Sequence, residues 1–256
     1  MREAIHFYLR RGAIALPQGR DTMVLVLTWA ASGVDAISYL GLGHVFTANM
    51  TGNTVLLGLA IGQGQGLAAL RSIIALVAFA VGAALGAIIV EKASYHTDWP
   101  LAVTRAVWVE AVILVLFTLT WHLGSRNGAI LYSLITLSAL AMGIQSAAIR
   151  HLKVPGVATT YITGTLTSMV AELTSWLRGR ISPLAADSTG QSAALELPQA
   201  RRYQGAWLQA LVLLVYILAA VVSGFLQLRH ARLVALSPLL AVALVGLNAS
   251  LRHRRK

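Results

Sequence analysis

The chain has 256 residues, of which 57% are hydrophobic and 11% charged, and its mean hydropathy is +0.72. Soluble domains carry roughly 25% charged residues, so this composition excludes an ordinary soluble domain. The net charge is +11, but the lysines and arginines lie between and beyond the apolar runs, as in cytoplasmic loops, and not along one nucleic-acid-binding face. With no cysteines, disulfides, thiol chemistry and cysteine-ligated metals are excluded.

After a basic arm over residues 1–21, apolar runs follow one another, most of them near the roughly 20 residues that a membrane-spanning helix needs. The predicted spans are 22–42, 45–61, 70–90, 101–121, 129–149, 157–177, 205–228 and 234–251. We therefore predict an all-α polytopic membrane protein with about eight transmembrane helices, forming one integral membrane domain over 1–256. The hydrophilic segment 178–204 is predicted to be a long cytoplasmic loop.

The third predicted span carries small residues four positions apart, at Ala78, Gly82 and Gly86. Such a stripe lets another helix approach closely. We take it as a packing face, and as the candidate face for a homo-oligomer.

Polar residues interrupt the first two spans, in the stretch GVDAISYLGLGHVFTANMTGNTVLL over 33–57, and a related stretch follows over 143–166. Polar groups are costly in lipid and usually face the bundle interior or a cavity. The candidate path residues are Asp35, Thr47, Asn49, Thr51, Gly52 and Asn53 in the first copy, and Gln145, Thr159, Thr160, Thr163, Gly164 and Thr165 in the second. Their matching order predicts a substrate or ion site between the two motifs.

The two motifs suggest two four-helix repeats, over about 22–121 and about 129–251. Eight crossings would give both halves the same orientation and would place fourteen of the twenty lysines and arginines on the cytoplasmic side. Alternatively, segments 45–61 and 157–177 are re-entrant, six helices cross, and the repeat is inverted. Both versions put the N- and C-termini in the cytoplasm.

Two chemistries are open for the motifs. In each copy two threonines lie four positions apart, hence on one side of a helix, and the following glycine loosens the helix and exposes its backbone. A broken helix can offer amide donors to an anion or carbonyls to a cation. Alternatively, the threonines bond to their own helix and the glycine serves close packing.

Two carboxylates, Asp35 and Glu110, fall well inside predicted spans. A carboxylate there must be protonated, paired or hydrated, so both are candidates for proton coupling, or else members of buried structural networks. No histidines have metal-ligand spacing, and there is no nucleophile–base set. We therefore expect no metal, no cofactor, no nucleic acid and no enzymatic activity, with the lipid bilayer and a small solute or ion as the partners.

The motifs GVDAISYL, FTANMTGNTVLLG, GIQSA and TTYITGTL resemble those of the YoaK family of bacterial inner-membrane proteins, over about residues 22–228. The resemblance implies a bacterial inner-membrane location and no particular reaction. From the polar repeat we predict a small secondary transporter or channel for an unidentified solute or ion. The alternatives are a non-transporting scaffold or accessory subunit, and an intramembrane enzyme.

Overall fold

The computed structural model describes residues 19–91, 97–123, 128–154, 159–160, 162–181 and 192–254. This part of the chain forms eight helices and contains no strand, which confirms the predicted all-α class. The helices are α1 Arg20–Gly41, α2 Met50–Gly62, α3 Gly66–Val90, α4 Leu101–His122, α5 Ala129–His151, α6 Ile162–Ile181, α7 Ser192–Arg229 and α8 Leu236–Arg254.

Six of these helices, α1, α3, α4, α5, α7 and α8, are long and apolar enough to cross a membrane. The other two are the helices that contain the polar motifs. With 13 residues, α2 is only about 20 Å long by helix rise, against a hydrocarbon core of about 30 Å. Although α6 has 20 residues, it is polar and includes Glu172, Arg178 and Arg180.

Two pairs of helices run parallel. In the pair α3–α5, Gly82 packs against the backbone of Leu140, and Gly86 packs against that of Ile144. The two helices therefore run in the same direction. In the pair α1–α7, the Ser32 hydroxyl donates to the Tyr216 carbonyl. Eight residues further along both helices, Leu40 lies beside Gly224, so α1 and α7 are also parallel.

The helix α8 is antiparallel to two others. Against α4, the Trp108 indole donates to Ser250 and the Trp121 indole donates to the carbonyl of Ala231. Against α1, the Trp29 indole donates to Ser237 at the start of α8. Consequently α1 and α4 run in the same direction, and α8 runs opposite to both.

The helix α3 begins at the end of the bundle where α1 finishes. The guanidinium of Arg71, in the second turn of α3, lies where a side chain on Gly43, just after α1, would be. The apolar clusters agree, because Met23 of α1 shares one cluster with Val90 of α3, whereas Ile37 and Ala75 share the other. Thus α1 and α3 are antiparallel, and α2 leaves and returns at one end of the bundle.

The small-residue stripe of α3 is used inside the chain. Ala78, Gly82 and Gly86 are all buried, and a Cβ on either glycine would meet backbone atoms of α5. The stripe therefore serves the close α3–α5 contact, and the homo-oligomer face that the sequence placed there is already occupied by this chain's own helix.

The predicted boundaries differ most from the structure in three segments. The second span was predicted from residue 45, but α2 begins at Met50 because residues 42–49 are not helical. The predicted loop 178–204 is helical at both ends, since 178–181 completes α6 and α7 begins at Ser192; residues 182–191 lie outside the described residues. The sixth predicted span, 157–177, becomes α6 only from Ile162.

Candidate functional site

The carboxylate of Asp35 joins three parts of the molecule. Its Oδ1 accepts hydrogen bonds from the backbone N–H groups of Thr47, Ala48 and Asn49, at 2.9, 2.7 and 3.2 Å. Its Oδ2 accepts from the hydroxyl of Tyr216 in α7, at 2.9 Å. The side chain is 4% exposed. We call these four contacts the Asp35 junction; it holds α1, α7 and the start of α2 together.

The local sequence explains why three amides converge there. After α1 the chain turns back through Gly43 and His44, both with positive φ (83° and 60°). The amides of 47–49 precede α2 and so lack helical partners, which leaves them free to bind a carboxylate. The Asn49 side chain caps α2 by accepting from the N–H of Gly52. Thr47 also forms a 2.8 Å hydroxyl–hydroxyl contact with Ser38.

The remaining motif residues of the first copy have structural contacts. The fully buried amide of Asn53 accepts from the N–H of Phe46 at 2.9 Å and donates to its carbonyl at 2.6 Å. Gly52 lies against the Phe46 ring, where a Cβ would be 2.9 Å from a ring carbon. Thr51 is exposed. Since Thr47 lies outside α2, the prediction that Thr47 and Thr51 share one helical face is wrong.

The second motif forms a neutral counterpart. The Nε2 of Gln145 donates to Thr159 Oγ1 at 3.0 Å and to the carbonyl of Leu27 in α1 at 3.1 Å. We call this group the Gln145 junction. Its Oε1 is buried and has no hydrogen-bond partner among the described residues. Beside it, the hydroxyls of Ser146 and Thr160 are 3.0 Å apart.

Beyond the Gln145 junction, the residues of α6 differ in exposure. Thr165 is buried, Gly164 is half-buried and Thr163 is exposed. As in the first copy, the second threonine of the pair faces outward, so the proposed pairing of hydroxyls on one helical face does not hold here either.

The two junctions lie at opposite ends of the bundle. Asp35 is six residues before the end of α1, and Gln145 is six residues before the end of α5, so each lies about 9 Å inside its helix end. Helix α5 runs parallel to α3, and α3 runs antiparallel to α1, so α1 and α5 are antiparallel. The structure therefore separates the two motifs, which the sequence predicted would face one shared cavity.

Comparison with known proteins covers both junctions. Residues 23–249 match the family model described as a protein of unknown function, DUF1275. This chain belongs to the DUF1275 family. It is 43% identical over 159 residues to the UPF0700 transmembrane protein YoaK of Bacillus subtilis (strain 168), an alignment that covers 62% of this chain and 69% of that protein. The predicted resemblance to the YoaK family is thus confirmed. No solved structure matches.

The DUF1275 protein also has a polar face that the sequence analysis missed, on α7. Gln209, Tyr216 and Ser223 follow one another at seven-residue intervals, with Gln227 one turn later. The amide of Gln209 donates to Glu172 of α6 at 3.0 Å, and Tyr216 binds Asp35. The heptad spacing of polar residues in an otherwise apolar span was the available signal. We call these four residues the polar face of α7.

The second predicted coupling carboxylate of this DUF1275 protein is separate from both junctions. Glu110 is fully buried in α4, and neither carboxyl oxygen has a hydrogen-bond partner among the described residues. Val107, Ala111 and Leu114 of the same helix are also buried, which places Glu110 in the part of the core that α4 forms. An unpaired carboxyl group there is far cheaper to keep neutral than charged.

An apolar groove of about 670 Å³ opens on one side of the bundle between α1, α7 and α8. Trp29, which lines it, donates to Ser237. Asp35 is not among its lining residues. Within the described residues, no three histidine, aspartate or glutamate side chains are grouped so as to hold a metal ion. The chemistry of the site therefore lies in the junctions and the polar face of α7.

Proposed function

We propose that this DUF1275 protein is a small secondary transporter that crosses the cytoplasmic membrane six times in two inverted halves. The first half is α1–α4 and the second α5–α8. The Asp35 junction closes the outer end of the bundle and the Gln145 junction closes the inner end, and the two open alternately. The observation that carries the proposal is the placement of two related helix breaks at opposite ends of antiparallel helices.

The pairing of helices supports two equivalent halves. Suppose that α1–α4 correspond in order to α5–α8. The contact α1–α7 then corresponds to α5–α3, α1–α8 corresponds to α5–α4, and α2–α3 corresponds to α6–α7. All six of these contacts occur, and the further contact α4–α8 joins two equivalent helices. The matching glycines agree, because Gly33 of α1 faces α7 whereas Gly143 of α5 faces α3. A two-fold relation predicts this pattern.

Helix directions favour the inverted version over eight crossings. With eight crossings, α4 and α8 would be parallel, whereas the Trp108 and Trp121 contacts make them antiparallel. If α2 and α6 do not cross, equivalent helices run in opposite directions, as an inverted repeat requires. Charge agrees: six crossings place sixteen lysines and arginines inside and four outside, a stronger bias than the fourteen to six of eight crossings. Both termini are then cytoplasmic.

Alternating access follows from this geometry. In many inverted-repeat transporters, irregular backbone at broken helices lines the substrate path, and the halves move against each other. Here the irregular segment 42–49 binds Asp35, and Thr159, before the start of α6, binds Gln145. The bonds of the Asp35 junction join α1 to α7 and α2, so breaking them would free one end while Gln145 still holds α1 at the other.

The test uses the lack of native cysteines. Single variants Ala48→Cys, within the Asp35 junction, and Ala148→Cys, three residues after Gln145, each place a thiol where the native side chain is buried. In proteoliposomes, we expect a membrane-impermeant maleimide to label one or the other, with conditions that raise labelling at position 48 lowering it at position 148. Uptake of radiolabelled amino acids, sugars and inorganic ions is measured on the same vesicles.

Topology has its own readout. Gln63→Cys in the exposed α2–α3 turn should react from the outside with six crossings and from the inside with eight. The transporter is rejected in favour of an accessory subunit if three results occur together. These are constant labelling at positions 48 and 148, no uptake of any solute, and stable co-purification of one protein.

A further inference from the structure

We infer that the interface between α1 and α7 is a proton path across the membrane, formed by Asp35, the polar face of α7 and Glu172. This inference deepens the proposed function by naming the coupling ion, and it rests on that proposal only for the movement of solute. Proton conduction itself depends on the α1–α7 contact and can be measured without any solute.

The path has the length that a membrane requires. From Gln209 to Gln227 there are eighteen residues of continuous helix, or about 27 Å, close to the roughly 30 Å hydrocarbon core. At its ends, Glu172 and Gln227 are half-buried, whereas Gln209, Ser223 and Asp35 in between are buried. The end residues are therefore partly exposed, whereas those between them are shielded.

Hydrogen bonds already join parts of the path. Gln209 donates to Glu172 at one end, and Tyr216 donates to Asp35 near the centre. On either side of Tyr216 an interval of seven residues, about 10 Å, separates it from the next polar side chain of α7, a span of about three water molecules. Ala219 is buried within one of these intervals. Because its side chain is small, it excludes little water there.

Unsatisfied polar atoms lie where such water is needed. The Oγ of Ser223, the Oε1 of Gln227 and the Oε2 of Glu172 are buried without a hydrogen-bond partner among the described residues. Buried polar groups in folded proteins are nearly always paired with protein or ordered water. Three such atoms on one path therefore indicate a hydrated route, and each would serve as a donor or acceptor for passing protons.

The proton balance is simple. A proton from the Gln227 end adds to the Asp35 carboxylate and forms one O–H bond; the same O–H bond breaks when water carries the proton on to the Glu172 carboxylate, which releases it to the inner water. The O–H bonds of Glu172 and of the bridging waters likewise form in one transfer and break in the next, so one elementary charge moves and no other bond changes. Of the described side chains, Tyr216 is the titratable group that contacts Asp35 directly.

Protonation of Asp35 also couples to the junction. A neutral carboxyl group accepts weaker hydrogen bonds than a carboxylate, so the amides of 47–49 and the Tyr216 hydroxyl are held less tightly once Asp35 is protonated. Metal cations suit the path poorly, because each point offers one or two oxygens, whereas bound Ca²⁺ or Mg²⁺ needs about six.

The equivalent interface cannot conduct. Between α3 and α5, the contact consists of Gly82 and Gly86 against the backbone of Leu140 and Ile144, and no titratable side chain is buried along that contact in the described chain. The path therefore belongs to the α1–α7 interface alone, and variants on α3 or α5 that lie away from it are matched controls.

The experiment measures proton entry into proteoliposomes that contain a pH-sensitive dye, driven by a valinomycin potassium potential. Wild type, Tyr216→Phe, Asp35→Asn and Ser223→Ala are compared with Tyr132→Phe on α5, a half-buried tyrosine outside the α1–α7 interface. Wild type should acidify the lumen faster than protein-free vesicles. Removing the Asp35 carboxylate or the Tyr216 hydroxyl should lower that rate by about ten-fold or more, since a positioned proton relay contributes at least that much. Tyr132→Phe should match wild type.

The outcomes separate the two proposals. Reciprocal labelling at positions 48 and 148 without proton entry overturns the proton path and leaves the transporter intact. Proton entry that Tyr216→Phe and Asp35→Asn abolish, without reciprocal labelling, supports the path and rejects alternating access. Proton entry unchanged by Tyr216→Phe overturns the path, and this variant decides the matter even if Asp35→Asn fails to fold.

Discussion

The interface between α1 and α7 and the interface between α3 and α5 each join two parallel helices, yet they are held together by different forces. The first is polar, with Asp35 binding Tyr216 and Ser32 binding a carbonyl of α7. The second is packed backbone to backbone through Gly82, Gly86 and Gly143. A close dry contact is rigid, because it tolerates no added atom. A contact that depends on one carboxylate can be released by one proton.

The largest contrast is expected at the matching glycines Gly33 and Gly143. A Cβ on Gly143 would meet the backbone of Phe79 and Ala83, which cannot move aside, whereas on Gly33 it would lie 3.2 Å from the Ser223 hydroxyl, which can rotate. We expect Gly143→Ala to lower the free energy of unfolding by about 3 kcal/mol, and Gly33→Ala by less than about 1 kcal/mol. Unfolding in mixed micelles measures both, and equal losses would contradict the contrast.

The second contrast lies between the junctions. Asp35→Ala leaves the three amides of 47–49 and the Tyr216 hydroxyl without their acceptor, so a loss of about 3–4 kcal/mol is expected. Gln145→Ala removes two hydrogen bonds of a neutral amide and should cost about 2 kcal/mol. The control Asp35→Asn keeps an acceptor oxygen and should fall between wild type and Asp35→Ala. If Gln145→Ala proved the more damaging, the Asp35 junction would not be the stronger closure.

A smaller effect is expected from removing single hydroxyls. Tyr216→Phe deletes one hydrogen bond to a carboxylate, which contributes about 1.5 kcal/mol to the free energy of unfolding. Tyr132→Phe, on α5, should change it by less than about 0.5 kcal/mol. Thermal unfolding of the two variants in one detergent gives the difference, and indistinguishable midpoints would mean that the Tyr216–Asp35 bond adds nothing to the polar interface.

The smallest changes in the free energy of unfolding are expected at two serines, and they differ in sign. Ser223 has a buried hydroxyl without a partner in the described chain, so Ser223→Ala should leave the free energy of unfolding unchanged or raise it by up to about 1 kcal/mol. Ser138 of α5 donates to the carbonyl of Leu134 at 2.7 Å, so Ser138→Ala should lower it by about 0.5–1 kcal/mol. A loss of stability in Ser223→Ala as large as that in Ser138→Ala would mean that the Ser223 hydroxyl is bonded to a protein group and not to water.

The sequence by itself determined the class of the protein and the residues around which it is built. Apolar runs and a low charge content established a helical membrane protein, because both depend only on composition and length. The motif around Asp35 and Thr47–Asn53 was identified as special, since polar groups inside an apolar run need a reason. The same motifs carried the family resemblance.

Only the tertiary structure decided where those motifs lie. An apolar stretch such as 45–61 has the same composition whether it crosses the membrane or turns back. The position of this stretch depends on long-range contacts: Asp35 binds amides twelve to fourteen residues away, and Arg71 lies against Gly43. Heptad spacing marks a polar face on α7, but neither segment indicates that Asp35 binds Tyr216, 181 residues distant. Local patterns report which residues are costly to bury, whereas long-range packing determines which of them meet.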